Sequence, residues 1–256
     1  MNKPTTHPML EAWPDKSSPL EAILLHLLPG LIITIVFAIL ARMTLPLGWP
    51  PSLALLLTWP ITGIPLLLGI LLYKGYKANG AFSLKGILLY RQPLSFGQYA
   101  GLVIALLVWT AVFSTLFSFP AESLRQALFT WWPAWLNLSE FARDPTNYSR
   151  SIQWAIIALS AILNIAVPVT EELYFRSYLL PRLPSGQKWS PLLSTVLFSL
   201  YHFWLPWDFF GRIVALLPVV YLVQRKQNAY LSILVHCLLN SLGTIGLLVM
   251  VAGPGK

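Results

Sequence analysis

Seven apolar runs dominate the chain, at about 20–41, 51–73, 98–119, 151–170, 189–207, 211–224 and 229–252. About 20 apolar residues in an α-helix span the ~30 Å hydrocarbon core of a bilayer. Six of the runs approach or exceed that length. The run at 211–224 rises only about 21 Å at 1.5 Å per residue, so it needs tilting, a re-entrant path or shielding by its neighbours. The expected fold is all-α: a polytopic membrane helix bundle of about seven transmembrane helices. It forms one integral-membrane domain over 1–256, with a polar cytoplasmic head at 1–19. Composition agrees, since 56% of the 256 residues are hydrophobic and 10% charged, with a mean hydropathy of +0.66, outside the range of ordinary soluble domains. The first run follows Lys3 and Lys16 as a secretory leader would. It is longer than a leader's apolar core of about 7–15 residues, however, and reads as a retained anchor.

A formal charge of +8 raises nucleic acid as a partner, but the basic residues are scattered between apolar runs instead of forming one face. They read as topology signals. With the N-terminus cytoplasmic, seven crossings leave Arg42, Arg125, Arg143, Arg150, Arg212 and Lys256 outside and the other eleven of seventeen lysines and arginines inside. The expected location is the cell (plasma) membrane, multi-pass and N-in. Between 120 and 150, Leu124, Leu128, Trp131 and Trp135 recur at helical spacing beside Glu122 and Arg125. This predicts an interfacial amphipathic helix, with an eighth crossing as the alternative. The single cysteine, Cys237, excludes an internal disulfide and a cysteine-based zinc site, and reads as a small buried hydrophobe.

Residues 168–176 read PVTEELYFR, placing Glu171 and Glu172 at the end of the fourth run, after a Pro168 expected to bend that helix. The fifth run carries His202, and the seventh carries His236 with Asn240 one turn beyond it. With Arg176 taken as the boundary of span four, these side chains fall in the cytoplasmic half of three helices. Each ionisable group at such depth costs roughly 2.5–3.5 kcal/mol on insertion scales, so a cluster is a functional-site hypothesis. Glu172 and Arg176, at i and i+4, make an ion pair that structure alone would explain. Glu171 has no such relief. A single membrane histidine is more often an interhelical hydrogen-bond partner than a catalyst. His26 in the first run and His7 in the head have no companions of this kind.

Glu171-Glu172-x-x-x-Arg176, Phe198-x-x-x-His202 and His236-x-x-x-Asn240, in that order and separation, resemble the motifs of the CAAX protease and bacteriocin-processing (CPBP, or ABI) family of intramembrane endopeptidases. Each motif alone is weak; all three together, inside spans, are specific, and the resemblance covers about 168–245. It implies that Glu171 and His202 activate a water, that His236 and Asn240 stabilise the oxyanion, and that Glu172, Arg176 and Phe198 support them. It also implies a peptide or protein substrate, membrane-anchored or lipidated, and an enzyme embedded in the lipid bilayer. Peptide hydrolysis needs the same parts: a base for water, donors for the carbonyl oxygen, and a proton for the leaving amine. No cofactor is expected. The alternative is zinc held by Glu171, His202 and His236, although no HExxH pair places two ligands on one helical turn. Two rival classes remain: a non-catalytic binder of the same fold, as in bacteriocin immunity or scaffolding, and a transporter or proton relay. The relay would spread ionisable groups through the depth of the membrane, and the first three spans carry essentially none.

Overall fold

The computed structural model describes residues 16–184 and 186–253; Lys3, His7, Lys256 and most of the polar head lie outside the described residues. Helix α1, Pro19–Thr44, starts at Ser18, whose hydroxyl accepts from the Glu21 amide at 3.2 Å. Helix α2, Pro51–Asn79, contains one π turn, Trp59–Gly63, at Pro60, which has no amide hydrogen to continue the α ladder. It ends at Gly80, whose φ of 67° closes the helix in the left-handed region. Helix α3, Phe96–Leu128, opens with a Ser95/Gln98 capping box. Helix α4, Arg150–Glu172, runs on through a π turn, Leu173–Leu179, and one 3₁₀ turn to Arg182. Helices α5 (Gly186–Tyr201), α6 (Phe209–Lys226) and α7 (Tyr230–Ala252) complete the bundle.

The expectation of an all-α polytopic bundle is borne out, with differences in the individual spans. Six helical stretches among the described residues are long and apolar enough to cross a membrane, and α5 is not one of them. The helix in the run expected to span at 189–207 stops at Tyr201; further on, Pro206 keeps Leu205 out of the helical region, at φ −140° and ψ 62°, and starts a new turn, Pro206–Asp208. That turn lengthens the run expected to be too short: Pro206–Lys226 has 21 residues. The amphipathic helix expected within 120–150 is not a separate element. Leu124 and Leu128 belong to the end of α3, after which Pro133 and a 3₁₀ turn, Ala134–Leu136, lead to a one-turn helix, Ser139–Arg143. Trp131 remains exposed, while Trp132 packs edge-on against Trp207 at 5.6 Å.

Between lipid-embedded helices association depends on close van der Waals contact and polar bonds, because lipid is as apolar as leucine. Two glycines supply such contact. Gly30 of α1 lies against the backbone of Tyr201 on α5, and Gly211 of α6 against Phe117 of α3. One core gathers Phe37, Ala54, Leu67, Tyr174 and Phe198; a second joins Val103 and Leu106 of α3 to Val220, Val223, Leu231 and Val235. α4 packs chiefly on α7, and α6 on α5 and α3, while α5 also touches the Leu180–Arg182 turn that ends the α4 path, so that path meets both other motif-bearing helices.

Candidate active site

The π turn governs how the fourth helix delivers its polar groups. Each π turn adds a residue to the helical repeat and shifts the phase of the residues beyond it. From Thr170 to Leu180 every residue except Leu173 is buried, so this segment is enclosed all round. Arg176 is 1% exposed, so protein encloses it. The helical path continues to Arg182, eleven residues past Glu171 and about 16 Å along the axis. Asn240 stands ten residues into α7, about 15 Å from its start.

The two acids, His236 and the arginine form one network. His236 Nδ1 is 3.0 Å from Glu172 Oε1 and donates to it, and His236 Nε2 is 3.9 Å from Glu171 Oε2. Arg176 Nε stands 3.3 Å from Glu172 Oε2, Arg176 Nη1 donates to Ser194 Oγ at 3.3 Å, and the guanidinium covers the Phe198 ring at 4.4 Å. Glu172 thus holds one hydrogen bond, at Oε1, and an ion pair at Oε2, although neither Oε2 nor Arg176 Nε makes a hydrogen bond. Glu171 Oε1 is likewise buried without a hydrogen bond, beside a Tyr201 hydroxyl that interacts with the Glu171 carboxyl. Unpaired buried polar atoms are costly and mark places where a water or substrate atom belongs. His202 Nδ1 is 2.8 Å from the Phe198 carbonyl. A carbonyl only accepts, so Nδ1 carries the proton, and the Nε2 of the neutral ring keeps its lone pair.

A cavity of about 320 Å³ adjoins this network. His202, His236 and Asn240 line it, together with Glu172, Arg176 and Phe198. Glu171 is not on its wall; it lies behind His236, 2% exposed. The sequence therefore identified the residues that converge but not which glutamate faces open space. A second cavity of about 310 Å³ shares Ser118, Ala121 and Asp208 with the first and reaches Glu122 and Arg125 near the end of α3. The opening thus extends away from the end of the bundle where Arg182 meets Ser17. Sequence reasoning missed Tyr201 and Arg212. Arg212 was assigned to an outer loop, and only its i, i+4 spacing from Asp208 in an apolar run hinted otherwise. His26 is buried against Phe175 at 5.6 Å, and Cys237 is a half-buried free thiol.

The alternative ligand set for zinc was Glu171, His202 and His236. Among the described residues no three His, Cys, Asp or Glu side chains are grouped as a metal site requires.

A bundle of membrane-spanning helices with a carboxylate–imidazole network beside a cavity defines the class. Within it, residues 153–242 match the family described as Type II CAAX prenyl endopeptidase Rce1-like. The resemblance read from the three motifs is borne out over that segment, which contains all of them. The chain is also similar to the UPF0177 protein YxdF of Lactococcus lactis subsp. lactis (strain IL1403), with 32% identity over 91 residues, 36% of this chain and 51% of the relative. The chain therefore spans about half the length of the relative it matches. No solved structure matches.

Proposed function

We propose that the chain is an intramembrane endopeptidase that hydrolyses a peptide or membrane-anchored protein substrate inside the bundle. Glu171 and His202 activate the water, and His236 and Asn240 hold the oxyanion. The carrying observation is His236, which bridges the two acids at 3.0 and 3.9 Å beside the cavity that His202 and Asn240 also line. The Arg176 ion pair and the His236 hydrogen bond favour an orienting role for Glu172, and the looser 3.9 Å contact of Glu171 with His236 leaves it free to work on water. In the proposed sequence Glu171 takes a proton from water, and the hydroxide adds to the carbonyl carbon while Nε2 of His202 accepts the second water hydrogen bond. The oxyanion then receives the Nε2–H of a doubly protonated His236, whose Nδ1–H stays on Glu172, and an amide N–H of Asn240. As the C–N bond breaks, the proton held by Glu171 passes to the leaving amine. No step uses a metal.

Glu171→Gln is nearly isosteric and removes the base. Membranes from cells carrying it are expected to lose the peptide products found with the wild-type chain, at unchanged expression and detergent extraction. An identical peptide profile for the two would sink the reading in favour of a binding protein. We also propose that the N-terminus is cytoplasmic, because Lys74, Arg91, Arg182 and Arg225 lie toward the N-terminal end of the bundle, where Lys74 pairs with Glu21 at 3.0 Å.

A further inference from the structure

Arg212, on the first turn of α6, lies in the wall of the cavity and not in an outer loop, with a side chain 14% exposed. Its Nη1 donates to the Ser199 carbonyl at 3.3 Å. Its Nη2 stands 3.7 Å from Asp208 Oδ2, an ion pair too long to be a hydrogen bond. A guanidinium presents five N–H donors in a planar fork, and here one of them is hydrogen-bonded among the described residues. Much of the wall around it is apolar, formed by Phe117, Ala215, Leu216 and Val219. In so dry a place the fork draws a planar anion strongly. Glu172 cannot be that anion, since both its oxygens are engaged elsewhere. Asp208 fills the role only loosely: its side chain is 40% exposed at the junction of the two cavities, where it can turn away.

The helix register sets the distance from the chemistry. Two consecutive carbonyls of α5, those of Phe198 and Ser199, are taken by His202 Nδ1 and by Arg212 Nη1. Imidazole and guanidinium therefore bind neighbouring peptide units of one helix. We infer that Arg212 is a specificity-determining residue that receives a carboxylate of the bound peptide, at its chain terminus or on an acidic side chain, with Asp208 partnering the fork when no substrate is present. This rests on the endopeptidase reading and deepens it: the cut falls within a few residues of a negative charge that the substrate must carry.

The test is binding to the full chain in zwitterionic phosphatidylcholine nanodiscs, followed by tryptophan fluorescence, since Trp207 adjoins Asp208. The probes are acetyl-leucyl-phenylalanyl-leucine as free acid, its carboxamide, a carboxamide with a central aspartate, and dodecyl phosphate. A carboxylate probe is expected to bind the wild type at least about tenfold more tightly than the neutral carboxamide, as a charge-assisted pair supplies. Whichever carboxylate probe shows the gap identifies the source of the charge. Arg212→Gln is expected to erase the gap, Arg212→Lys to keep part of it, and Asp208→Asn to widen it. The last two variants decide the matter if Arg212→Gln does not fold. Equal affinities in the wild type, or an unchanged gap in a folded Arg212→Gln, overturn the inference. So does Arg212-dependent binding of dodecyl phosphate alone, which would assign the fork to lipid phosphate. Binding needs no hydrolysis, so Glu171→Gln is expected to retain the gap. An Arg212-dependent gap without any cleavage would remove the protease reading and leave the subsite; cleavage without a gap would do the reverse.

Discussion

Gly30→Ala tests whether the contact between α1 and α5 sets the position of His202, the histidine proposed to act on water. A Cβ at Gly30 would stand 2.0 Å from the Tyr201 carbonyl oxygen, 2.7 Å from Tyr201 Cδ2 and 2.8 Å from Tyr201 C. Ordinary contact begins at 3.4 Å, so the two helices must separate by 3.4 − 2.0, or about 1.4 Å, along that line. The obstruction is backbone, and no change of rotamer relieves it. Overpacking of this kind costs about 1–3 kcal/mol. His202 follows Tyr201 directly, and a displacement of about 1 Å at a reacting group can cost 10²-fold in rate. The assay pairs equilibrium unfolding in mixed micelles with the membrane-peptide profile used for Glu171→Gln. Gly69→Ala is the control, because a Cβ there meets nothing within 4 Å. Gly30→Ala is expected to lower stability by about 1–3 kcal/mol and activity by roughly a hundredfold, with Gly69→Ala near wild type. If the two variants behave alike in both measurements, the packing argument is wrong.

Two further outcomes are expected from the site and the charge pattern. Product formation is expected to persist after dialysis against a tight chelator; loss that added zinc restores would return Glu171, His202 and His236 to the role of ligands. Cysteines placed singly at Lys77 and at Arg143 are expected to react with a membrane-impermeant reagent in intact cells only at position 143, and the opposite pattern would invert the proposed topology.

Much of the bundle was legible because a bilayer imposes a length rule, and runs such as 98–119 and 229–252 became α3 and α7. The rule failed where local chemistry overrode hydropathy. The fifth helix ended early at Tyr201 and the turn that Pro206 starts added residues to the sixth, while Pro133 broke up a stretch whose leucines and tryptophans had helical spacing. The converging set, Glu171, Glu172, His202, His236 and Asn240, was legible because each was costly where it stood. Which of the two acids lines the cavity was not, since adjacent residues on a helix face about 100° apart and only packing decides it. Arg212 was hidden for the opposite reason: near the end of a short apolar run an arginine resembles an ordinary flanking charge. Its depth appears only once the turn Pro206–Asp208 extends the helix.

The stretch from Thr170 to Leu180, enclosed on every side by the π turn, constrains how this sequence can drift. A solitary change of size or polarity there has no margin in solvent or lipid to absorb it. Substitutions in that stretch must therefore arrive coupled, Arg176 with Ser194 or Phe198, Tyr174 with α1, so lineages of this fold would carry their variation here as matched pairs.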